Sequence, residues 1–366
     1  MKPHKFSLNI YNYQYFRRRN FDKIQKDLFL HYISVILKRI IVAAATFFAG
    51  LVFSQTGTNV YPFMNLPVSA RQAALGGDAV SIRDSDVNFA AVNPALLNVE
   101  MDGKISANFA LYLAGSKYGT INYAKAFERG HLLTANVRYM DYGKMPRTDD
   151  AGYENGEFGA MDASVGVGYA LQFEDEWTIG ANVNFITSTI DTYNSMAVAA
   201  NIGATYHIAE DKETIGLVFR NFGYQFKSYN GTRELLPFRV DLGYTRILDT
   251  FPAAITITAH DLQQFDISSE FNNNGQEVKL PRKILDHFSL GAELFPESAF
   301  NLRLGYNIKR GNELAVVDQR SFAGLSAGLG LKFNSIRIDL SHVRYHNSGN
   351  MNIIGIAVDM SGRGYE

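Results

Sequence analysis

The chain has 366 residues, a formal net charge of −1 and no cysteine, together with 20 tyrosines, 26 phenylalanines and one tryptophan. The balanced charge excludes the basic field that nucleic-acid binding needs, and the lack of cysteine excludes disulfides, thiolate metal sites and cysteine nucleophiles. The length allows two soluble domains or one large β domain, and the aromatic and glycine content favours an exported β protein.

An apolar run near the N-terminus has the form of an export signal. Lys38 and Arg39 precede the run Ile40–Phe53, which is shorter than the ~20 residues of a membrane-spanning helix. A basic region, an apolar core and a small residue at the end are typical of a secretory signal peptide. We predict an N-terminal extension and signal peptide over residues 1–54, cleaved after Ser54, with a membrane anchor as the alternative.

In the rest of the chain, apolar and polar side chains alternate with a period of two, which indicates β-strands. In the segment GKISANFALYL, one face carries Ile105, Ala107 and Phe109. The other face carries Ser106 and Asn108. About fourteen such segments can be counted, starting near residues 103, 118, 131, 159, 177, 195, 213, 236, 253, 284, 299, 322, 335 and 351.

The lengths of these segments and of their connections predict a membrane barrel. A segment of ten residues, at about 3.3 Å per residue and a tilt near 40°, crosses roughly 25 Å. Short connections such as 128–130 alternate with longer ones such as 143–158, 189–194 and 224–235, as periplasmic turns and external loops do. We therefore predict an all-β fold: a transmembrane barrel of about 14 antiparallel strands over 103–362, in a bacterial outer membrane.

The face opposite the apolar one carries charges and glycines. In a barrel this face lines the lumen, where water and partner charges offset desolvation, whereas in a soluble sandwich it would face solvent. Lys125 breaks the rule because it falls on the apolar face. The predicted lumen charges are Arg138, Arg220, Arg239, Asp241, His287, Glu293, Arg303, Lys332, Arg337 and Asp339.

The stretch before the first strand, SARQAALGGDAVSIRDSDVNFAAVNPALL, has no clear period. Its small residues allow close packing, its first part can form a helical turn ending at a glycine, and its Asn-Pro pair favours a second turn. We predict that residues 55–102 form a plug, or hatch, inside the lumen, against the alternative of a strand and loop covering a soluble core. The residues of this plug motif are Ser69, Ala70, Arg71, Gly76, Gly77, Asn93 and Pro94.

The motifs SARQAALGGDAV, RDSD and NPALL, followed by about fourteen strands, resemble the FadL-type outer-membrane barrels. Within that group, residues 61–360 look most like the PorQ-like proteins of the type IX secretion system, which are related to PorV. The resemblance implies a non-enzymatic subunit of the attachment complex, without a cofactor. Its implied partners are a PorZ-like surface protein, PorU- and PorV-like subunits and outer-membrane lipid, including anionic lipopolysaccharide, and no nucleic acid.

The external loops would then form the docking surface. The loop that contains Phe265 and Phe271 mixes charged and aromatic residues, as interfaces do, and Lys279, Arg282 and Lys283 are candidates for lipopolysaccharide contact. The alternative function is a FadL-like channel for hydrophobic compounds. That alternative predicts an apolar pocket between plug and wall, and a lateral opening where a strand kinks.

Two histidine patterns are candidates for a catalytic site and a metal site. His287 and Ser289 form a His-x-Ser pair of the kind that a barrel phospholipase uses, but Phe288 holds the lipid-facing side, so the pair turns inward as two polar lumen residues. His342 and His346 are four residues apart, which on a strand is about 13 Å and too far to share a metal ion. The sequence therefore predicts no catalytic residue and no metal site.

Overall fold

The computed structural model describes residues 59–149, 151–173, 176–210, 212–272, 275–314, 322–346, 349–362 and 364. The predicted signal peptide and extension over 1–54, and the first residues of the predicted plug, lie outside these ranges. No helix in the described part of the chain is long and apolar enough to cross a membrane.

In these ranges, fourteen antiparallel strands close into one barrel, in which each strand pairs with its neighbours in sequence and the first pairs with the last. This confirms the predicted fold class, and every predicted strand start lies within five residues of the observed one. The strands are β1 (Lys104–Leu111), β2 (Lys117–Ala126), β3 (His131–Thr148), β4 (Glu154–Gln172), β5 (Trp177–Ile190), β6 (Tyr193–Ile208), β7 (Glu213–Lys227), β8 (Arg239–Ile247), β9 (Ala253–Ala259), β10 (Phe288–Leu294), β11 (Phe300–Asn307), β12 (Leu325–Phe333), β13 (Ile336–His346) and β14 (Gly349–Asp359).

The strands differ in length around the barrel. β3 and β4 have 18 and 19 residues, whereas β9 and β10 have 7 each. At about 2.5 Å of height per tilted residue, the longest strands rise roughly 20 Å beyond an apolar belt of ~25 Å. The connections of more than ten residues (228–238, 260–287 and 308–324) all lie at one end, which is the external end because periplasmic turns are short.

Three predicted external loops are corrected by this geometry. The predicted loop 143–158 is mostly strand, with only 149–153 left as its connection, and the predicted loop 189–194 reduces to 191–192. Strand β7 likewise runs to Lys227, inside the predicted loop 224–235. Above the membrane both faces of a strand meet water, so the alternating pattern fades although the ladder hydrogen bonds continue.

The outward face of the barrel is apolar. Large hydrophobic side chains stand exposed on it, such as Val165 (57%), Val167 (65%) and Leu304 (61%), while the alternate side chains are polar and buried. Such a belt is stable only in contact with lipid, so the protein is an outer-membrane barrel. Lys125 does point outward, and it forms an ion pair with Asp102 at 3.0 Å.

Residues 59–102, named here the inner segment, lie inside the barrel. Nearly all their side chains are buried. The segment begins near the external end, where the Val60 amide donates to the Leu235 carbonyl at 3.0 Å, and it ends at the periplasmic rim before β1. Its helices are α1 (Ala70–Ala74) and four 3-10 turns, Pro62–Asn65, Val87–Ala91, Pro94–Leu96 and Val99–Met101. The remaining helices are α2 (Leu280–Leu285), α3 (Ile308–Glu313) and the 3-10 turns Leu113–Gly115 and Glu128–Gly130.

Candidate functional site: the inner segment and the lumen wall

Helix α1 begins and ends as its sequence requires. The Ser69 hydroxyl accepts from the Gln72 amide at 3.1 Å and so caps the helix N-terminus. After Ala74 the chain reverses through Gly76 and Gly77, whose φ angles of +91° and +94° favour glycine. A Cβ at Gly76 would lie 3.1 Å from the Leu290 carbonyl oxygen, so this turn packs directly on the wall.

Arg71 extends from α1 into a buried ionic network. Its guanidinium donates to Glu293 of β10 at 2.6 Å, and it also pairs with Asp84 at 2.6 Å and Asp86 at 3.5 Å. Burial alone would raise the pKa of Asp84, but Arg71 and Arg337 outweigh it and lower the pKa to about 2. Asp84 is therefore ionised at neutral pH.

The network continues along the wall. Arg303 donates to Glu293 at 2.7 Å and to Asp339 at 2.5 Å. Arg337 pairs with Asp339 at 2.8 Å. It also pairs with Asp86 of the inner segment at 3.2 Å. Three strands and two parts of the inner segment are thus held by charge-assisted contacts. Its members, here called the Arg71 network, are Arg71, Asp84, Asp86, Glu293, Arg303, Arg337 and Asp339.

A second ionic contact involves Asp78, which the sequence reasoning did not select. Asp78 accepts from Arg239 of β8 at 2.9 Å and from the Asn307 amide of β11 at 2.8 Å. Arg239 and Arg220 both pair with Asp241, at 3.1 and 3.2 Å. Asp78 directly follows the turn at Gly76 and Gly77. An acidic residue next to a Gly-Gly pair is the sequence feature that points to it.

The opposite wall holds the inner segment without charge pairs. Asn93 caps the turn at Pro94 by accepting from the Ala95 amide at 3.1 Å, and its own amide donates to the Val80 carbonyl at 2.9 Å. A Cβ at Gly180 of β5 would lie 2.6 Å from the Pro94 carbonyl carbon. The predicted turn residues therefore pack against the wall through backbone contact.

Amides and hydroxyls dominate this second wall. The Asn88 side-chain oxygen of the inner segment accepts from Ser106, Asn108 and Asn122 at 2.5 to 2.9 Å. Asn136 is buried, yet neither its side-chain nitrogen nor its oxygen has a protein partner among the described residues. Further buried atoms that find no partner in the described part of the chain lie on Asn122, Ser164, Asn182 and Asn184.

The inner segment lies between a periplasmic cavity and a group of external tyrosines. The cavity has a volume of about 310 Å³ and is lined by apolar Leu75 and Ile82 and by charged Arg83 and Lys332. Its lining is mixed, so it differs from the apolar pocket expected of the channel alternative. On the external side, four partly buried tyrosines pack against the hydrophobic cluster that includes part of the inner segment: Tyr112, Tyr142, Tyr229 and Tyr345.

Strand β7 kinks, as the channel alternative predicts. Asn221 has a φ of +56°, and the β6–β7 register shifts beside it. Pairing between β7 and β8 stops at Arg220 and Arg239, so residues 221–227 pair only with β6. The connection 228–238 packs beside this gap and contacts it through Phe222 and Phe238.

The predicted partner-binding residues lie on the connection 260–287. Phe265 and Phe271 are 72% and 54% exposed. Arg282 donates to the Asn312 carbonyl at 3.1 Å and Lys283 forms an ion pair with Asp266, so two of the three proposed lipopolysaccharide contacts already have protein partners. Lys279 directly precedes α2 and is exposed. The structure brings these five residues together on one external loop.

The His-x-Ser pair faces the lumen. The two ring nitrogens of His287 lie 2.8 and 3.2 Å from the His260 and Phe265 carbonyl oxygens, which can only accept hydrogen bonds, and Ser289 is 2% exposed. Neither side chain can reach lipid from this position.

These features define the class of the protein: an outer-membrane barrel whose lumen is filled by its own N-terminal segment. The monoaromatic hydrocarbon channel CymD is similar, with a TM-score of 0.55, 10% identity and coverage of 81% of this chain and 98% of that one. The toluene transporter TodX of Pseudomonas putida is also similar, with a TM-score of 0.51, 12% identity and coverage of 82% and 98%. No family model matches the chain, and no curated protein matches it in sequence.

At these identities the similarity concerns the fold. It supports the predicted resemblance to FadL-type channels at the level of architecture, and neither of the two structures is a type IX secretion protein.

Proposed function

We propose that the protein is an outer-membrane channel for small hydrophobic compounds and that the inner segment gates it. The observation that carries the proposal is the shared architecture with CymD and TodX, which are a hydrocarbon channel and a toluene transporter and are each covered over 98% of their length. The alternative function from the sequence is therefore favoured over the attachment role.

The lumen geometry supports a gated path. The four external tyrosines offer aromatic surface at the external end, and the periplasmic cavity offers Leu75 and Ile82 at the other. The inner segment fills the space between them, so passage requires that it shift. The neutral wall is the place where fewest charged contacts oppose such a shift.

A reversible crosslink tests the gate. The Ser81 hydroxyl of the inner segment lies 2.8 Å from the Thr245 hydroxyl of β8, close enough for cysteines at both positions to form a disulfide. The chain has no cysteine of its own, so the pair Ser81→Cys/Thr245→Cys is the only one that can form within it. We expect cells that depend on this barrel to take up labelled toluene when the pair is reduced and to fall to background when it is oxidised.

The single variants Ser81→Cys and Thr245→Cys are the matched controls, because each carries one of the two substitutions but cannot form a disulfide within the barrel. Their uptake should not respond to oxidant. Equal uptake by the oxidised and reduced double variant would show that the inner segment is not the gate, and no uptake above a strain lacking the barrel would refute the channel itself.

A second candidate function is the structural subunit of the type IX attachment complex. The observation that favours it is the exposed apolar surface on the connection 260–287, where Phe265, Phe271 and Leu280 are each more than half exposed. Purification from detergent-solubilised native membranes should then recover a PorZ-like surface protein in fixed ratio. The variant Phe265→Ser/Phe271→Ser should lose that protein while toluene uptake stays unchanged.

A further inference from the structure

A polar pair lies on the lipid-facing surface, directly above a row of apolar side chains. His342 of β13 and Asn352 of β14 are directly opposite each other, both are exposed on the outward face, and His342 Nδ1 lies 2.7 Å from Asn352 Oδ1. Polar side chains facing the hydrocarbon are costly and rare, so they indicate a specific contact.

The pair forms one wall of a groove in the outer surface. The cross-strand row that contains it runs over five neighbouring strands as Leu304, Ala327, His342, Asn352 and Leu111. The row beneath it, from Leu302 to Phe109, is wholly apolar. Together the two rows line a groove of about 800 Å³.

The dimensions of this groove fit one acyl chain. Five strands spaced about 4.8 Å apart give a length of roughly 19 Å, comparable to an extended fatty acyl chain. In a membrane this outward surface contacts lipid, so we expect an acyl chain to fill the groove.

The polar pair leaves one donor and one acceptor free. When His342 Nδ1 donates to Asn352, the histidine Nε2 remains an acceptor and the asparagine amide nitrogen remains a donor. When the asparagine amide is turned round, the histidine Nε2 becomes the donor and the asparagine oxygen the acceptor. In either arrangement a lipid hydroxyl can donate to the free acceptor or accept from the free donor.

The depth of the pair agrees with such a group. One row closer to the external end, Arg344 donates to Asn350 at 3.1 Å, which marks where the outward face becomes polar. His342 therefore lies about 5 Å below that boundary, in the outer leaflet. Hydroxyl groups near the head of an acyl chain occupy this level.

We propose that the groove is a binding site for an outer-leaflet lipid with a hydroxylated acyl chain, which lies along the apolar row with its hydroxyl on His342 and Asn352. The site is on the outside of the barrel, so it is independent of the proposed channel and of the inner segment.

Binding of two probes that differ by one hydroxyl tests the site. Methyl 3-hydroxytetradecanoate and methyl tetradecanoate are offered to the purified full-length barrel in detergent, and their affinities are compared. The wild type should prefer the hydroxylated ester by about fivefold, the effect of one neutral hydrogen bond. The variant His342→Leu/Asn352→Leu should bind both esters equally, and Ala327→Phe, which fills the groove, should weaken both.

Thr187→Leu, on the lipid face of β5, is the matched control and should keep the preference. Each variant replaces a lipid-facing side chain by an apolar one, so folding is expected and is checked by heat-modifiable migration. Equal affinity of the wild type for the two esters would overturn the proposal. A preference that survives in His342→Leu/Asn352→Leu would also overturn it, since the hydroxyl would then be recognised elsewhere.

Discussion

The two sides of the lumen hold the inner segment by different forces. On the side of β8–β13, Arg71 and Asp78 reach the wall through buried ion pairs with Glu293 and Arg239. On the side of β2–β6, the contacts are neutral: backbone packing at Gly180 and hydrogen bonds to Asn88. The charged residues Arg138 and Asp162 are exceptions on the neutral side, and Arg138 donates to backbone carbonyls of the inner segment.

We call the side of the inner segment that faces β8–β13 the pinned edge, and the side that faces β2–β6 the yielding edge. Separating a buried ion pair leaves both charges uncompensated, whereas separating neutral contacts costs far less and water can replace them. The inner segment is therefore expected to leave the neutral side first and the charged side last. The following substitutions test that contrast, from the largest expected effect to the smallest.

Glu293→Gln should have the largest effect. It keeps the shape of the side chain but leaves Arg71 and Arg303 without their shared carboxylate. Because this breaks a buried charge pair, the free energy of unfolding should fall by about 3 kcal/mol, measured by urea unfolding in lipid vesicles.

The control is Glu297→Gln, which removes an exposed partner of Lys212 and should cost about 0.5 kcal/mol or less. If Glu293→Gln lowers the free energy of unfolding no more than Glu297→Gln does, the two sides of the lumen do not differ as described.

Asp78 makes the pinned edge sensitive to acid. Burial alone would raise its pKa, but Arg239 and His260 lower it from 3.8 to about 2. Since the folded pKa lies below the unfolded one, its stabilisation is complete above about pH 4 and is lost as the pH falls toward 2. Over that window the wild type should lose about 2 kcal/mol more than Asp78→Asn, measured as unfolding free energy against pH. Parallel curves for the two proteins would contradict the role of Asp78.

The sequence predicts which strand residues face the lumen better than it predicts their contacts with the inner segment. Alternation placed Glu293, Arg303 and Asp339 on the lumen face because the pattern of a strand is local. It could not pair Arg71 with Glu293, which is 222 residues away, since that contact depends on how the inner segment crosses the lumen. It also read 143–158 as a loop, because strands above the membrane lack an apolar face.

Asn136→Ala should have the smallest effect and tests the neutral side directly. Neither polar atom of Asn136 has a partner within the described ranges, so truncation breaks no hydrogen bond seen there and should change the unfolding free energy by about 0.5 kcal/mol or less. Its matched neighbour Asn122 donates to Asn88 at 2.8 Å, so Asn122→Ala should cost about 1 kcal/mol. If this side yields first, Asn122→Ala should also speed hydrogen exchange at residues 87–91 while residues 70–74 keep their wild-type rate. Faster exchange in both regions would show that the inner segment moves as one body and that the contrast between the two sides does not govern its opening.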